Sequence, residues 1–263
     1  MGEVFTERTP RVVAARKLTR RAGRDAAGQF LAEGPQAVRE ALAHHPPPVE
    51  LFVTDAAADR HAELVERAQA AGVPVSAVSA RAAAALSETA TPQGIVAVCR
   101  FVDRPLDVVL QGDTVVLCAD VRDPGNAGTI IRTADAAGAT GVVLAGHSVD
   151  PYNAKAVRAT VGSLFHLPIA LAEDVPAVVE ATRATGHVVL AADGAGEVDL
   201  FAAGELLGGR VAWLFGNEAW GLPDDLAARA DHRVAIPILG RAESLNLATA
   251  AAVCLYASPG AAR

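Results

Sequence analysis

The sequence predicts an α/β protein with a small N-terminal α/β domain and a larger C-terminal domain built on a parallel sheet. Short apolar runs alternate with helical stretches along the whole chain. After residue 113 the apolar runs become continuous, which is typical of parallel strands covered on both faces. The chain has 263 residues, 51% of them hydrophobic. That length is enough for two ordinary domains that each bury a core.

The first domain is predicted from its helix and strand signals in order. Residues 1–25 are predicted to form a polar helix or a partly mobile basic arm, and residues 30–34 to open a helix near Pro35, where a first-turn proline is tolerated. Further along, apolar spacing predicts strands at 49–54, 73–78 and 94–99, a helix at 62–71 closed by Gly72, and a short alanine-rich helix. We therefore place an arm at 1–25, a first domain at 26–105 and a second domain at 106–263.

The second domain is predicted in the same way, from apolar runs that are longer and more continuous. Residues 101–112 are expected to be a linker or a first edge. Buried strands are predicted at 114–119, 141–145, 188–192 and 211–215, with helices at 129–137, 175–185 and about 245–256. The last helix carries a face of small residues that fits either a close interface or a tight core (Ala248, Ala251, Ala252 and Leu255).

Composition favours a cytoplasmic globular protein with no membrane partner. No charge-free run of 18 apolar residues is present, and the N-terminus has no apolar segment of a secretory signal. Cys99, Cys118 and Cys254 lie in apolar contexts without metal-ligand spacing, so we expect reduced core cysteines and no metal site.

Charge is distributed unevenly. The net charge is −7, but residues 1–24 carry seven basic and two acidic side chains, a net of +5. The remaining chain is at −12. Such an arm is suited to gripping a phosphate backbone, and a solvated basic helix without a partner is the alternative interpretation.

Two segments place polar residues directly after an apolar strand, where ligands collect in parallel sheets. In the first, Asn126 is expected to cap a helix that also carries Arg132 and stops at Gly138. In the second, a strand runs into Gly216, Asn217 and Glu218, and the glycine permits close approach of a ligand to the main chain. Each segment alone is equally compatible with an ordinary capped helix or turn.

A third segment also places polar residues after an apolar strand, and a fourth resembles a cofactor-binding loop but lacks part of its motif. A strand ends at Ile236-Pro237, and Ser244-Leu245-Asn246 then starts a helix, with Ser244 as cap or as part of a ligand-wrapping loop. Asp193-Gly194-Ala195-Gly196 imitates a dinucleotide-binding loop, but the third glycine of the motif is missing. We therefore disfavour a Rossmann-type cofactor loop there.

Taken together and in this order, the three segments resemble the SpoU (TrmH) family of RNA ribose 2′-O-methyltransferases in the SPOUT superfamily. The matching residues are Asn126-x-Gly128-x-x-x-Arg132, Phe215-Gly-Asn-Glu-x-x-Gly221, and Ile236-Pro with Ser244-Leu-Asn246. Phe30-x-x-Glu33-Gly34 and Thr91-Pro-Gln-Gly-Ile95 resemble the N-terminal substrate-binding domain of the family. Ala219 departs from the glycine that many members have. Trp220 beside it is expected to pack, and crowding or lining the pocket is the alternative.

The resemblance implies a trefoil knot in the C-terminal domain, a homodimer, and S-adenosylmethionine as the cofactor, with no metal. By position it implies the catalytic residues Arg132, Asn126, Glu218, Ser244 and Asn246. It implies cofactor contacts near Gly216, Ile236, Leu245, Leu214, Asn217 and Gly221. The basic residues Arg16, Lys17, Arg20, Arg21 and Arg24 are the candidates for contacts to RNA.

The expected reaction is methyl transfer to a ribose 2′-hydroxyl of structured RNA, with 23S rRNA favoured over tRNA. A non-catalytic RNA-binding module on the same fold is the less favoured alternative, since four polar motif residues are intact. Because a guanidinium stays protonated in proteins, Arg132 is expected to act by its charge, although the family account sometimes makes it a general base.

Overall fold

The computed structural model describes residues 4–258, so the outermost residues of the predicted arm and of the predicted C-terminal domain lie outside the described chain. The chain divides into two compact units. The first comprises the chain up to Phe101 together with Asp150–His166, and the second comprises Val102–Val149 and the chain from Leu167 onward. A short segment of the sequence predicted as the second domain therefore belongs to the first unit.

Helices and strands alternate through both units. The helices are α1 (Pro10–Arg16), α2 (Arg21–Ala27), α3 (Pro35–Ala43), α4 (Asp55–Arg60), α5 (Ala62–Ala70), α6 (Ala80–Ala85), α7 (Leu106–Val109), α8 (Pro124–Ala136), α9 (Ala154–Thr160), α10 (Val175–Ala184), α11 (Asp224–Ala227) and α12 (Leu247–Ala257). The strands are β1 (Gln29–Glu33), β2 (Glu50–Val53), β3 (Val75–Ala77), β4 (Ile95–Arg100), β5 (Thr114–Ala119), β6 (Gly141–Ala145), β7 (Ile169–Ala172), β8 (Val188–Ala192), β9 (Val198–Asp199), β10 (Val211–Phe215) and β11 (His232–Ala235). Short 3-10 helices lie at Lys17–Thr19, Ser163–Phe165 and Leu200–Ala202.

The first unit is built on a four-stranded mixed sheet. Its order is β1-β4-β2-β3, in which β4 runs antiparallel to both of its neighbours and β2 is parallel to β3. The predicted helix near Pro35 is confirmed, but the sequence analysis missed the strand before it, in which residues 29–33 pair with β4. Helix formation starts only at Pro35, after Gly34 turns the chain with a φ of +95°.

The N-terminal segment is a packed part of the first unit rather than a mobile arm. Val12, Ala15 and Leu18 are buried in one apolar cluster with Phe52 of β2 and other core residues. A helical face that reads as polar along the sequence thus carries a narrow apolar stripe, which fixes α1 and the following turn to the sheet. Only the charged face remains in solvent.

The second unit contains a seven-stranded sheet in which all paired strands are parallel, in the order β7-β6-β5-β10-β8-β11-β9. The predicted parallel sheet is confirmed. Helices α7, α10 and α11 cover one face, with Val109, Val179 and Leu226 in its apolar core. Helices α8 and α12 pack with each other and against strands of the same sheet. Central strands buried on both faces explain the continuous apolar runs.

Several element boundaries differ from the predictions. Helix α8 begins five residues before the predicted start, and Asp123 rather than Asn126 caps it, since its Oδ1 accepts the N–H of Asn126 at 2.8 Å. Likewise Asn246, not Ser244, caps α12 by accepting the N–H groups of Ala248 and Thr249. On the small face of α12, Ala248, Ala251 and Leu255 are buried and Ala252 is half-buried, which favours the tight-core interpretation.

Three further features bear on the predictions. The three cysteines are unbridged and buried, as predicted. Between residues 4 and 258, no helix combines the length and apolarity needed to cross a membrane. The trefoil knot stays a prediction.

Candidate active site

A cavity of about 330 Å³ opens at the carboxyl edge of the parallel sheet. It is lined by residues at the ends of β8, β10 and β11 and in the loops after them, and by the loop before α12 and its first turn. The lining residues are Ala192, Asp193, Gly194, Phe215, Gly216, Asn217, Glu218, Ala219, Gly221, Val234, Ile236, Ile238, Glu243, Ser244, Leu245, Leu247 and Ala250. This location is the one that parallel α/β sheets use for ligands.

Three of the predicted catalytic residues form one hydrogen-bonded cluster beside this cavity. Asn246 Nδ2 donates to Asn126 Oδ1 at 3.1 Å, and Asn126 Nδ2 donates to Glu218 Oε1 at 3.3 Å. These residues come from the first turn of α8, the turn after β10 and the cap of α12. Glu218 also lines the cavity, so the cluster and the cavity belong to one site.

The Glu218 carboxylate is held by main-chain donors of the loop after β5. Its Oε2 accepts the N–H of Arg122 at 3.1 Å, and its Oε1 accepts the N–H of Asp123 at 2.9 Å. Partial burial would raise the pKa of Glu218, but these N–H groups and the amide of Asn126 outweigh it, so that the pKa lies below its usual value. Glu218 is therefore ionised at neutral pH, and both of its oxygens already accept hydrogen bonds.

Asn217 fixes the turn that carries Glu218. Its Nδ2 donates to the carbonyl of Asp120 at 2.7 Å, and its Oδ1 accepts the N–H of Ala219 at 2.8 Å. Two main-chain hydrogen bonds of 2.9 Å join Asn217 to Gly221 and close the turn. A side chain at Gly216 would collide with Gly221, since a Cβ there would lie 2.4 Å from its carbonyl group. Gly216 was predicted to permit close approach of a ligand, and it is also needed for the turn to close against Gly221.

Asp120 is a feature that the sequence did not reveal. It follows β5 directly and adopts a φ of +54°, which is uncommon for a residue other than glycine. Its Oδ1 accepts the N–H of His147 at 2.6 Å, and its carbonyl accepts the amide of Asn217. Strained residues of this kind concentrate at functional sites. Asp120 therefore ties together the loops that follow β5, β6 and β10.

Arg132 lies on the same helix as Asn126, and its side chain is exposed. Its neighbours Ile130 and Ile131 are fully buried and anchor that part of α8. Within residues 4–258 no hydrogen bond or ion pair engages the Arg132 guanidinium. A free, permanently charged donor group is thus held on the helix that also carries the cluster residue Asn126. Ser244, the fifth predicted catalytic residue, lines the cavity instead of joining the cluster.

Five of the six predicted cofactor-contact residues line the cavity: Gly216, Asn217, Gly221, Ile236 and Leu245. The sixth, Leu214, does not, because successive side chains of a strand point to opposite faces. Leu214 is buried in the apolar core under α10, whereas the adjacent Phe215 reaches the cavity. Asp193 and Gly194 also line the cavity, although this segment was disfavoured as a cofactor loop and neither residue was predicted to contact the cofactor. The chain after them forms β9 rather than a helix, which removes the phosphate-binding element of a dinucleotide loop.

The cavity has an acidic lining. Asp193, Glu218 and Glu243 contribute carboxylates, and none of the residues that line it in the described chain is basic. Asp193 is 3.6 Å from Arg233, outside the lining. Such a lining suits a ligand with a net positive charge and opposes a pyrophosphate.

The basic residues predicted to contact RNA separate into two groups. Arg16, Lys17, Arg20 and Arg21 are exposed. Arg24 is only 4% exposed, which contradicts its predicted role. Its Nε and Nη2 donate to Asp150 at 2.9 and 2.6 Å, and its Nη1 donates to the carbonyls of Leu18 and Thr19. Arg24 is a structural residue of the first unit.

Comparison with known proteins identifies the family. The model of the SpoU rRNA Methylase family matches residues 113–256, more than half of the chain. This chain belongs to the SpoU rRNA methylase family. A second model, described as an MRM3-like substrate binding domain, matches residues 9–97. The family resemblance drawn from the three motifs is confirmed, and so is the fold class.

Similar proteins match this SpoU family member over nearly its whole length. The 23S rRNA (guanosine(2553)-2′-O)-methyltransferase RlmP of Bacillus subtilis (strain 168) is 33% identical over 97% of this chain and 98% of its own. A crystal structure of an AdoMet-bound rRNA methyltransferase from Sinorhizobium meliloti is 37% identical over 98% of each chain, with a TM-score of 0.85. The SpoU methyltransferase AviRb of Streptomyces viridochromogenes, in complex with the cofactor AdoMet, is 31% identical over 97% of this chain and 98% of its own, with a TM-score of 0.81.

Metal ligation has no candidate in the described part of the chain. Across residues 4–258, no group of three or more His, Cys, Asp or Glu side chains is arranged to hold an ion.

Proposed function

We propose that this SpoU family member transfers the methyl group of S-adenosylmethionine to a ribose 2′-hydroxyl of 23S rRNA. The observation that carries the proposal is that Glu218 both lines the cavity and hydrogen-bonds Asn126. A ligand in the cavity would thus lie next to the polar cluster. The names of RlmP and of the Sinorhizobium relative supply the reaction and the RNA class.

The cavity fits S-adenosylmethionine. Its volume is within the range of small-molecule sites, and its apolar residues Phe215, Ile236 and Leu245 suit a flat adenine ring. Its carboxylates suit the sulfonium and ammonium groups of the cofactor. When bound, the cofactor supplies an electrophilic methyl group, so that the protein needs no metal for the transfer.

The residues of this chain contribute mainly by position and charge. Glu218 is a positioning residue, because its oxygens are occupied by the loop after β5 and by Asn126. Through this contact it orients the Asn126 amide, which Asn246 holds from the other side. Arg132 remains protonated, so it would bind a phosphate of the substrate and stabilise the charge that develops on the ribose oxygen. Holding the reactants in line can supply much of the rate.

The test is methyl transfer from labelled S-adenosylmethionine to purified 23S rRNA and to total tRNA, followed by mapping of 2′-O-methylated positions. We expect one position in 23S rRNA to be labelled. Arg132→Ala should reduce the rate about 10²- to 10³-fold, as loss of a charge-stabilising donor does, without changing the Kd of S-adenosylmethionine in calorimetry. Arg229→Ala, which removes another exposed arginine, is the control.

Three outcomes would contradict the proposal. Labelling of tRNA alone would favour the tRNA methyltransferase alternative. Binding of RNA without any binding of S-adenosylmethionine would favour a non-catalytic module. Full activity of Arg132→Ala would show that the charge of Arg132 is not needed for methyl transfer.

Two copies of the chain are proposed to form a homodimer that acts in the cytoplasm. Phe201 and Tyr256 are 71% and 59% exposed and border an open cavity of about 430 Å³ with Leu207 and Val253. Exposed apolar surface of this kind commonly marks an association site. Light scattering should give twice the monomer mass for the wild type and the monomer mass for Tyr256→Glu.

A further inference from the structure

Trp220 is an exposed aromatic residue next to the polar cluster. It lies two residues after Glu218, its exposure is 55%, and it does not line the cavity. The prediction that Trp220 packs was therefore wrong. The main-chain bonds between Asn217 and Gly221 close the turn beneath it, so its main chain is fixed although its side chain lies in solvent.

The Trp220 ring is paired with a cation. The guanidinium carbon of Arg122 lies 5.0 Å from the ring centroid, within the range of a cation–π interaction. Arg122 forms no ion pair with an acid between residues 4 and 258. Its main-chain N–H is bound to Glu218, which fixes the main chain of both partners of the pair to the same carboxylate turn. The pair is thus an aromatic surface with an unneutralised positive charge.

We propose that Trp220 and Arg122 form a stacking surface for an unstacked base of the RNA substrate at or beside the nucleotide that is methylated. This inference rests on the proposed function. Single-stranded RNA is recognised by stacking of its bases on aromatic rings and guanidinium planes, and Arg adds attraction to the phosphates. A surface fixed to the Glu218 turn would position a nucleotide relative to the cluster.

The charge around the site distinguishes this surface from the cavity. The cavity lining is acidic and contains no basic residue in the described chain, so it suits a cation. Arg122 and Trp220 offer the opposite combination of positive charge and an aromatic face, which suits a base with its phosphate. The two ligands of the reaction would thus be sorted by charge at neighbouring positions.

The first experiment separates binding of RNA from binding of the cofactor. Trp220→Ala should raise the KM for a 23S rRNA transcript about five- to a hundredfold, the range for loss of one base–aromatic stack. Trp220→Phe should retain most of the affinity, and Arg122→Ala should fall between them. The Kd of S-adenosylmethionine should not change in any variant. Val108→Ala is the control, since Val108 is 47% exposed on α7, at the amino end of the sheet.

The second experiment reads the stack directly. The chain has two tryptophans, and Trp213 is fully buried with its Nε1 bonded to Ser258 at 2.9 Å. Quenching of tryptophan fluorescence by an RNA fragment that contains the mapped nucleotide should therefore come from Trp220. Trp220→Phe should abolish the quenching while leaving the fragment bound in a filter assay.

The results also separate this inference from the proposed function. Wild-type methylation of 23S rRNA with an unchanged KM in Trp220→Ala, or unchanged quenching in Trp220→Phe, would overturn the stacking surface alone. A change of oligomeric state in Trp220→Ala at constant RNA affinity would assign the ring to a protein contact instead. Absence of methylation by the wild type would sink the proposed function. Titration of the tryptophan fluorescence with the whole 23S rRNA transcript, which needs no mapped nucleotide, would still decide the stack.

Discussion

Gly216 is the position at which the geometry of the site leaves the least room. A Cβ added there would lie 2.4 Å from the carbonyl carbon and oxygen of Gly221 and 2.6 Å from the amide nitrogen of Leu222. Ordinary contacts of a Cβ begin at 3.4 Å, so the substitution Gly216→Ala requires a shift of about 1 Å. The obstructing atoms are main chain on a closed turn, so they cannot yield by a change of rotamer.

We expect Gly216→Ala to cost both stability and cofactor affinity. Overpacking of this kind costs about 1–3 kcal/mol. For a domain of 150–250 residues this corresponds to a fall in Tm of roughly 2–12 °C. The displaced turn carries Asn217 and Glu218 and lines the cavity. The Kd of S-adenosylmethionine should therefore rise about tenfold or more, which is about 1.4 kcal/mol.

Differential scanning calorimetry and isothermal titration calorimetry measure the two effects. Gly209→Ala is the matched control, because nothing lies within 4 Å of a Cβ at that position. Wild-type Tm and Kd values for Gly216→Ala would refute the reasoning. A loss of similar size in Gly209→Ala would show that glycine replacement near β10, rather than the contact with Gly221, is responsible.

Three further predictions concern charged residues. Arg24→Ala should destabilise the first unit by about 3–5 kcal/mol in denaturant titrations. Asp150, whose side chain is 11% exposed, would then keep the N–H of Tyr152 but lose its cationic partner. Arg20→Ala should change stability by less than about 0.5 kcal/mol, and equal effects of the two substitutions would contradict the structural role of Arg24. Glu218→Gln should lower methyl transfer more than cofactor binding, since it disturbs the bond to Asn126. Because the pKa of Glu218 is lowered in the folded state, the stability that it contributes is present above the unfolded pKa and is lost as pH falls through the folded pKa; the Tm difference between wild type and Glu218→Gln should therefore shrink in acid, and a constant difference would argue against it. Replacing the exposed basic residues together by alanine should weaken RNA binding and flatten its salt dependence, and an unchanged salt slope would exclude them as phosphate contacts (Arg16, Lys17, Arg20 and Arg21).

The central strands of the parallel sheet could be predicted because a strand buried on both faces is a continuous apolar run in the sequence. β5, β6, β8 and β10 are continuous apolar runs and were placed to within a residue. β11 begins with the polar residues His232 and Arg233, so it is not a continuous apolar run and its full extent was not predicted. β1 was missed for a different reason, since Glu33 sits inside a buried strand and its carboxylate is satisfied by Ser87 and Thr89, more than fifty residues away.

The motif residues of the site could be predicted from the sequence, but the contacts between their side chains could not. Asn126, Glu218 and Asn246 stand after strands or at helix starts, and the sheet brings such positions to one edge. What the sequence did not contain is which side chain meets which. Burial of Arg24 depends on Asp150, 126 residues along the chain, and the membership of Asp193 in the cavity depends on β8 lying between β10 and β11. Partners of this kind are decided by topology and not by local pattern.

The bonds of the polar cluster span long stretches of chain. Asn126 is bonded to Glu218 and to Asn246, 92 and 120 residues further on. Contacts so distant in sequence form only after large loops have closed, and they contribute nothing while helices form locally. In refolding, helical signal should therefore return before methyl transfer does. The active site is therefore assembled late in folding. Folding intermediates that already contain much native helix should be inactive.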